Sequence, residues 1–185
     1  MTRIIGGTAG GRRLKTPPGD GTRPTSDRVR EALFSAIESQ LGTLAGHSVL
    51  DLYAGSGAIA LEALSRGADS ATAVESDRKV ARLISANAAD LGLDLTVIAR
   101  PVEKVAAEPT SRPFDVVFAD PPYPLTEHDL AETLAGLDAN GWVAGGSLVI
   151  IERSSRSPEP TYPAGWETLR ERRYGETVLW YVRLR

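Results

Sequence analysis

VLDLYAGSGAIA, residues 49–60, is an apolar segment that runs directly into a glycine-rich turn. The alanine-rich residues that follow predict a helix that ends at Gly67. Gly55 and Gly57 allow the backbone to turn tightly and to come close to a ligand. A second apolar stretch then ends in Glu75, where a carboxylate can accept hydrogen bonds from ribose hydroxyls. The pattern predicts a βαβ unit that binds a nucleoside, and the plainer alternative is a βαβ unit with an ordinary glycine turn.

The kind of nucleoside is ambiguous at first, because residues 55–60 also fit the dinucleotide pattern G-x-G-x-x-A. Asp51, four residues before the first glycine, would bring a negative charge towards the pyrophosphate of a nicotinamide cofactor. S-adenosylmethionine instead carries a cationic ammonium and a cationic sulfonium, which suit a carboxylate. The chain has two histidines and no cysteine, and it lacks an obvious set of residues for hydride transfer. A methyl donor therefore fits the turn better.

A second motif follows another apolar run, where residues 114–119 lead into Asp120-Pro121-Pro122-Tyr123. The carboxylate and a backbone carbonyl can both accept hydrogen bonds from one amino group, and the first proline stiffens the turn. The tyrosine offers a flat face on which a base can stack, worth about 1–3 kcal/mol in nucleic-acid sites. The motif favours a flat, amine-bearing ring such as a nucleobase, although a rigid strand-to-loop turn is the alternative.

The remaining pattern predicts a doubly wound, mostly parallel α/β sheet of seven strands with one antiparallel strand. A short hairpin is expected over residues 3–7 and 11–16, followed by a helix that is capped within residues 25–27 and ends near Leu41. The expected strands cover residues 49–52, 71–74, 95–99, 114–119, 147–151, 167–173 and 177–184. A polar loop is expected from Arg153 to residue 163. Since ligands bind beyond the carboxyl ends of such strands, the acids at 51, 75 and 120 should meet in one crevice.

The net charge of −3 hides a strong asymmetry along the chain. Residues 1–30 carry seven basic and two acidic side chains, a net charge of +5, which leaves −8 for the remainder. The basic residues are Arg3, Arg12, Arg13, Lys15, Arg23, Arg28 and Arg30. Such a segment predicts contact with nucleic acid, whereas simple solvation of an arginine-rich extension is the alternative.

Composition is that of one compact enzyme of 185 residues, long enough to bury a substantial core. The absence of cysteine excludes disulfides and cysteine-ligated metal, and without clusters of histidine and aspartate we expect no metal. There is no apolar core of a signal peptide and no stretch of about 20 apolar residues. We therefore expect a cytoplasmic monomer that does not associate with a membrane.

The motifs together carry a resemblance to a known family. Asp51-x-Tyr53-x-Gly55-x-Gly57, Glu75 and the 120–123 tetrapeptide, in that order, resemble the class I S-adenosylmethionine-dependent amino-methyltransferases with a Rossmann-like fold. Residues 23–34, with residues 3–7 and 11–14 before them, resemble the RsmD family of bacterial 16S ribosomal RNA guanine-N2 methyltransferases. The resemblance implies an RNA-binding extension over residues 1–24 and a methyltransferase domain over residues 25–185.

The resemblance also implies roles for individual residues. Asp120 and the Pro121 carbonyl would hold the guanine N2 amine, with Tyr123 stacked on the base and Pro122 stiffening the loop. The S-adenosylmethionine site would comprise Asp51, Tyr53, Gly55, Gly57, Glu75 and Val102. Many relatives place a polar residue opposite the adenine amine, but the sequence here is Ala-Arg-Pro-Val-Glu over residues 99–103, which leaves only the Val102 backbone for that contact. The seven basic residues would bind RNA.

The expected partner is 16S rRNA within a small-subunit ribonucleoprotein particle, with guanine 966 as the target. Three other functions stay open at this point. A DNA adenine-N6 or cytosine-N4 methyltransferase uses the same tetrapeptide, but usually needs a larger target-recognition domain. Amino-methylation of a protein or a small molecule gives the amino-terminal arginines little to do. A non-catalytic RNA-binding assembly factor would not need the intact acidic and glycine residues.

Overall fold

A computed structural model describes residues 1–19 and 25–185. These residues form nine strands and five helices. In chain order they are β1 (Thr2–Arg3), β2 (Arg13–Leu14), α1 (Asp27–Leu41), β3 (Ser48–Leu52), α2 (Ala58–Ser65), β4 (Ser70–Val74), α3 (Arg78–Leu91), β5 (Thr96–Ile98), α4 (Val102–Ala106), β6 (Val116–Ala119), α5 (Glu127–Ala139), β7 (Leu148–Ser154), β8 (Trp166–Tyr174) and β9 (Thr177–Leu184). None of these helices is both long and apolar enough to cross a membrane.

Seven strands form one sheet in the order β5-β4-β3-β6-β7-β9-β8. The five strands from β5 to β7 pair in parallel, and β9 runs antiparallel to both of its neighbours, β7 and β8. The predicted mostly parallel sheet with one antiparallel strand is thereby confirmed. From β3 the chain adds β4 and β5 on one side, and then β6 and β7 on the other side. The position between β3 and β6 is therefore the topological switch point, where ligands bind in doubly wound sheets.

Helices cover both faces of the sheet, because the central strands are apolar on both sides. In β6, Val116 and Phe118 pack with the helices α1, α2 and α3, while Val117 and Ala119 pack with α4 and α5. All four side chains are buried. A strand that is buried on both faces reads as a continuous apolar run, which is why the sequence identified it.

Local capping signals fixed the ends of the helices as predicted. The Ser26 hydroxyl accepts a hydrogen bond from the Val29 amide at the start of α1, and Asp77 accepts two amide hydrogen bonds at the start of α3. Gly92 ends α3 in the left-handed conformation, at φ 66°. Helix α4 was not predicted, because five residues are too few to show a helical period.

Strand β7 is longer than the sequence indicated. It continues to Ser154, whereas a loop was expected from Arg153 onwards, and that expectation is wrong. The reason is pairing with a distant strand, since Glu152, Arg153 and Ser154 are in register with residues 177–179 of β9. Long-range pairing of this kind outweighs local strand propensity.

The N-terminal arm, which we define as residues 1–19, folds back onto the domain. Its strands β1 and β2 form a hairpin of only two residues each, shorter than predicted. Ile4 and Leu14 are buried against Leu61 of α2 and Ala88 of α3. The arm therefore covers an apolar surface formed by α2 and α3.

Polar contacts fix the same arm in place. The carboxylate of Glu62, which is completely buried, accepts hydrogen bonds from the amides of Ile5 (2.8 Å) and Gly6 (3.0 Å). The Ser65 hydroxyl donates to the Gly6 carbonyl at 2.6 Å. Gly7 lies so close to α2, at φ 77°, that a Cβ atom would come within 1.9 Å of the Ser65 carbonyl oxygen. The end of α2 thus serves as the docking site of the arm.

Candidate functional site

Four acidic residues lie at the carboxyl edge of the sheet, on four adjacent strands. Asp51 lies in β3, Glu75 follows β4, Asp120 follows β6, and Glu152 lies in β7. The residues beside them are in register, with Leu52 opposite both Val74 and Ala119, and Ala119 opposite Ile151. The sequence placed the first three acids in one crevice, and the sheet brings them to one edge. Glu152 was not singled out.

The glycine turn between β3 and α2 depends on an unusual backbone conformation. Tyr53, Gly55 and Gly57 all have positive φ angles, of 59°, 57° and 80°. A Cβ atom at Gly57 would lie 2.7 Å from a methyl carbon of Ile84, so this position requires glycine for space as well as for conformation. The Cβ of an alanine at Gly55 would meet nothing within 4 Å, which leaves that side of the turn open to a ligand.

Asp51 lies behind the turn and is 1% exposed. Its carboxylate accepts a hydrogen bond from the Ala60 amide at 3.1 Å, in the first turn of α2. Burial raises the pKa of the Asp51 carboxyl well above its ordinary value, and the nearby charges of Asp120 and Glu75 raise it further against the effect of that hydrogen bond. Asp51 therefore fixes the start of α2, and its contact with a ligand ammonium stays a prediction.

Glu75 braces the turn from the neighbouring strand. One carboxylate oxygen accepts the Gly55 amide at 2.9 Å, and the other accepts the Asp77 amide at 3.0 Å. Each carboxylate oxygen has two lone pairs, so both retain the capacity to accept a further hydrogen bond. A ribose diol is a ligand that would use this capacity.

Asp120 and Glu152 form a pair of neighbouring carboxyl groups. They follow Ala119 and Ile151, which are partners on adjacent parallel strands, so their backbones lie about 5 Å apart. Burial, and then the charge of Glu152, raise the pKa of Asp120 to about 8 despite the opposing effect of Arg153. Burial also raises the pKa of Glu152, although the Thr25 hydroxyl donates a hydrogen bond to it at 2.8 Å. The two carboxyl groups therefore lie together in a poorly solvated region of negative electrostatic potential.

The tetrapeptide loop presents two contrasting surfaces beside this pair. Pro121 is buried, whereas Pro122 is exposed and its carbonyl accepts the Leu125 amide at 3.0 Å, which closes the loop. The Tyr123 side chain is 87% exposed. Since the loop carries an exposed aromatic ring three residues after a half-buried carboxylate, it offers both a stacking face and an acceptor to a planar amine.

Val102 lies at the edge of the same crevice, beyond β5. It is 2% exposed and is the first residue of α4, so its amide belongs to the first turn, where no intrahelical acceptor exists. The side chain packs in the core with Val105. Only the backbone of Val102 is thus available to a ligand, and its contact with adenine stays a prediction.

The basic residues of the amino-terminal region have different surroundings. Those that are exposed are Arg3, Arg12, Arg13, Lys15 and Arg28, and Arg23 lies outside the described residues. Asp90 anchors two of them: its carbonyl accepts from Arg12 at 2.6 Å, and its carboxylate pairs with Lys15 at 2.9 Å. These exposed side chains keep donors that a phosphate backbone can use.

The sequence analysis placed Arg30 on an RNA-binding surface, but the structure buries this residue. Its side chain is 1% exposed, and it donates hydrogen bonds to the Arg3 carbonyl (2.7 Å) and to Asp27 (2.7 Å). The Glu62 carboxylate lies 4.0 Å away. Because the arm covers this position, the Arg30 side chain joins the arm to α1 and is not exposed at the surface.

The glycine turn is linked directly to the N-terminal arm. The Asn87 side chain, 2% exposed on α3, donates hydrogen bonds to the carbonyls of Ser56 (3.1 Å) and Lys15 (2.9 Å). Its oxygen accepts the Lys15 amide at 2.9 Å. Sequence reasoning missed this residue, because an asparagine within a helix carries no signal of its partners.

A cationic cofactor fits the charge of this crevice. Four carboxyl groups converge there, and the pKa values of Asp51 and Asp120 are raised in part by neighbouring acids. A ligand with a positive charge would relieve that repulsion, as the ammonium and sulfonium of S-adenosylmethionine would. Within residues 1–19 and 25–185, no group of three or more histidine, cysteine or acidic residues is placed to hold a metal ion.

Comparison with known proteins gives consistent results along the whole chain. The family model described as "Conserved hypothetical protein 95" matches residues 2–183. The chain is 40% identical to "Ribosomal RNA small subunit methyltransferase D" of Escherichia coli K12, over 95% of this chain and 86% of that protein. It is 35% identical to the protein of the same name from Haemophilus influenzae, over 94% and 89%. The solved structure of the Escherichia coli protein yhhF has a TM-score of 0.87 and 36% identity, and covers 98% of this chain and 97% of that one.

Proposed function

Because the chain belongs to the ribosomal RNA small subunit methyltransferase D family and uses S-adenosylmethionine, we propose that it methylates the N2 amine of a guanine in small-subunit rRNA. The observation that carries the proposal is the Asp120–Tyr123 loop. There a largely buried acceptor and an exposed aromatic ring lie together at the switch point of the sheet. That arrangement suits an amine on a flat ring.

The cofactor site comprises the turn and its two flanking strands. Gly55 and Gly57 let the backbone approach the methionine part, and Tyr53 shapes the entry of the turn through its positive φ. Glu75 receives the ribose hydroxyls, and Asp51 supplies negative charge from behind the turn. The Val102 amide contacts the adenine edge. When bound, the cofactor supplies an electrophilic methyl group.

The protein's contribution to the chemistry is to position the amine and to receive its proton. The lone pair of guanine N2 is delocalised into the ring, so the amine is a poor nucleophile. Asp120 and the Pro121 carbonyl accept its two hydrogens and direct the lone pair towards the methyl carbon. The nitrogen would lose one proton on gaining the methyl group that the cofactor supplies, and Asp120 is the group that would accept that proton. Alignment of this kind can provide effective molarities of about 10⁵ M or more.

Asp120 is well suited to that role near neutral pH. Burial and Glu152 raise its pKa to about 8, which makes the carboxylate a stronger base than one in water. The amine hydrogens stabilise the ionised form while the base is bound. Tyr123 stacks on the base, and Pro122 keeps the loop stiff.

The exposed basic residues of the arm bind the RNA backbone, so affinity should fall steeply with salt. The domain assignment follows from this division of roles, with residues 1–24 as an RNA-binding extension and residues 25–185 as the catalytic part. The N2 group lies in the minor groove of paired RNA, so the target must be unpaired or flipped. We propose that the target is guanine 966 of 16S rRNA within a small-subunit particle. We also propose that the protein acts as a monomer in the cytoplasm.

The test is methyl transfer from labelled S-adenosylmethionine to small-subunit particles from a strain that lacks this enzyme. We expect label in N2-methylguanosine at position 966 alone. Asp120→Ala should abolish transfer but retain cofactor binding by calorimetry, whereas Asp94→Ala, at an exposed position in the loop before β5, should change neither. Label in another nucleoside, or transfer to free DNA, would refute guanine-N2 specificity.

A further inference from the structure

Glu152 is a largely buried acid that the proposed chemistry uses only for its effect on the pKa of Asp120. It lies beside Asp120 on the adjacent strand, at the same edge of the sheet. The next residue, Arg153, forms an ion pair with Glu127. Among the described residues, the hydroxyl of Thr25 is the one hydrogen-bond donor to Glu152, and it occupies a single carboxylate oxygen, Oε2. The other oxygen is left for an external donor.

The fold itself gains little from this carboxylate. Burying a carboxyl group without a cation is costly, and a neighbouring acid adds repulsion. Both effects are present, since the pKa of Glu152 is raised by burial and its charge in turn raises the pKa of Asp120. A charged group that is retained against such a cost is often part of a functional site.

Guanine is the base whose edge fits two adjacent acceptors. Its N1–H and its N2 amine are neighbouring donors on one side of the ring. Adenine presents an unprotonated N1 on that edge, and cytosine an unprotonated N3 beside its amine. A second carboxylate next to the one that holds the amine therefore distinguishes guanine from the other amine-bearing bases.

On the basis of the proposed function, we propose that Glu152 is a specificity-determining residue that accepts the N1–H of the target guanine while Asp120 holds the N2 amine. The Thr25 hydroxyl orients the Glu152 carboxylate and leaves Oε1 facing the base. Thr25 precedes Ser26, the N-cap residue of α1, so this orienting contact connects the amino-terminal region to the base site.

The test compares two bases that share the N2 amine but differ at N1. Small-subunit particles are reconstituted with guanine or 2-aminopurine at the methylated position, since 2-aminopurine carries the amine beside an unprotonated N1. Wild-type protein and Glu152→Gln are assayed for kcat/KM on both. The glutamine can turn its NH₂ group towards an unprotonated N1, and so offers a donor that an ionised carboxylate lacks.

We expect Glu152→Gln to lower the guanine to 2-aminopurine preference by about tenfold or more, in line with the discrimination of one specific base contact. Glu171→Gln, on the edge strand β8, should leave the preference unchanged. An equal loss on both bases would show that Glu152 acts on the fold or on Asp120 and not on the edge of the base, and would overturn the proposal.

The measurement on the wild-type protein separates this proposal from the proposed function on which it rests. If the wild-type protein methylates guanine N2 and the preference does not respond to Glu152→Gln, only the role of Glu152 is refuted. If the wild-type protein fails to methylate guanine N2, the proposed function fails and the role of Glu152 falls with it. Calorimetric binding of S-adenosylmethionine to Glu152→Gln checks that the variant is folded.

Discussion

Replacing Asp120 by asparagine should stabilise the protein at pH 8, even though it removes the proposed acceptor of the amine. In the folded protein the pKa of Asp120 is raised to about 8, by burial first and by Glu152 second, from an ordinary value of 3.8. The unfolded chain therefore releases this proton at a lower pH than the folded protein does. As a result, the stability of the wild-type protein should fall as the pH rises from about 4 to about 8.

The magnitude follows from the pKa difference. Each pKa unit corresponds to about 1.4 kcal/mol, so a shift of about four units gives an upper limit of about 5 kcal/mol at pH 8. Part of the shift comes from Glu152, whose own ionisation adjusts, so we expect about 2–4 kcal/mol. Asparagine does not titrate and keeps nearly the same shape. For a chain of 185 residues this gain corresponds to a Tm increase of about 5–12 °C.

The assay is urea or thermal unfolding of wild-type protein and Asp120→Asn at pH 4.5 and at pH 8. The stabilisation should be small at pH 4.5 and large at pH 8. Asp94→Asn, an exposed aspartate in the loop before β5, serves as the control and should show no such pH dependence. If Asp120→Asn had the same effect on unfolding at both pH values, the inference of a raised Asp120 pKa would be wrong.

Three further substitutions test how the turn and the arm are held. Glu62→Ala should cost about 3–5 kcal/mol in urea unfolding, because it leaves the amides of Ile5 and Gly6 and the Arg66 guanidinium without their acceptor; a cost below 1 kcal/mol would contradict this. Gly57→Ala should lower the Tm, because the new Cβ clashes with Ile84. Gly55→Ala should weaken cofactor binding in calorimetry more than it lowers the Tm, and equal effects of the two variants on the Tm and on binding would refute the distinction. Asn87→Ala should increase hydrogen exchange in both the arm and the turn, and a change in only one of them would disprove the link.

The parts of the site that the sequence predicted are those encoded by local signals. The glycine turn, Glu75 and Asp120 each follow an apolar strand, and the edge at which parallel strands end is determined by the fold class alone. Glu152 carries the same signal, an acid after an apolar run. It was not singled out because no glycine, proline or aromatic residue adjoins it, unlike the glycine turn and Asp120.

Arg30 illustrates what local patterns cannot reveal. In the sequence it lies close to Arg28 and Glu31, which are both exposed. Its burial is produced by the arm, which covers it from a distance of 27 residues along the chain and offers the Arg3 carbonyl as a partner. Whether a charge is exposed thus depended on a tertiary contact, and the count of basic residues alone overestimated the exposed positive charge of this region.

The docking of the arm on α2 limits how this enzyme can be divided or recombined. A shortened chain that begins at residue 25 would expose Leu61 and Ala88 to water and would leave the Glu62 carboxylate without its two amide donors. An arm transplanted from a relative would need a matching glutamate and serine on the recipient's helix. The arm and α2 should therefore be exchanged together in any chimeric enzyme.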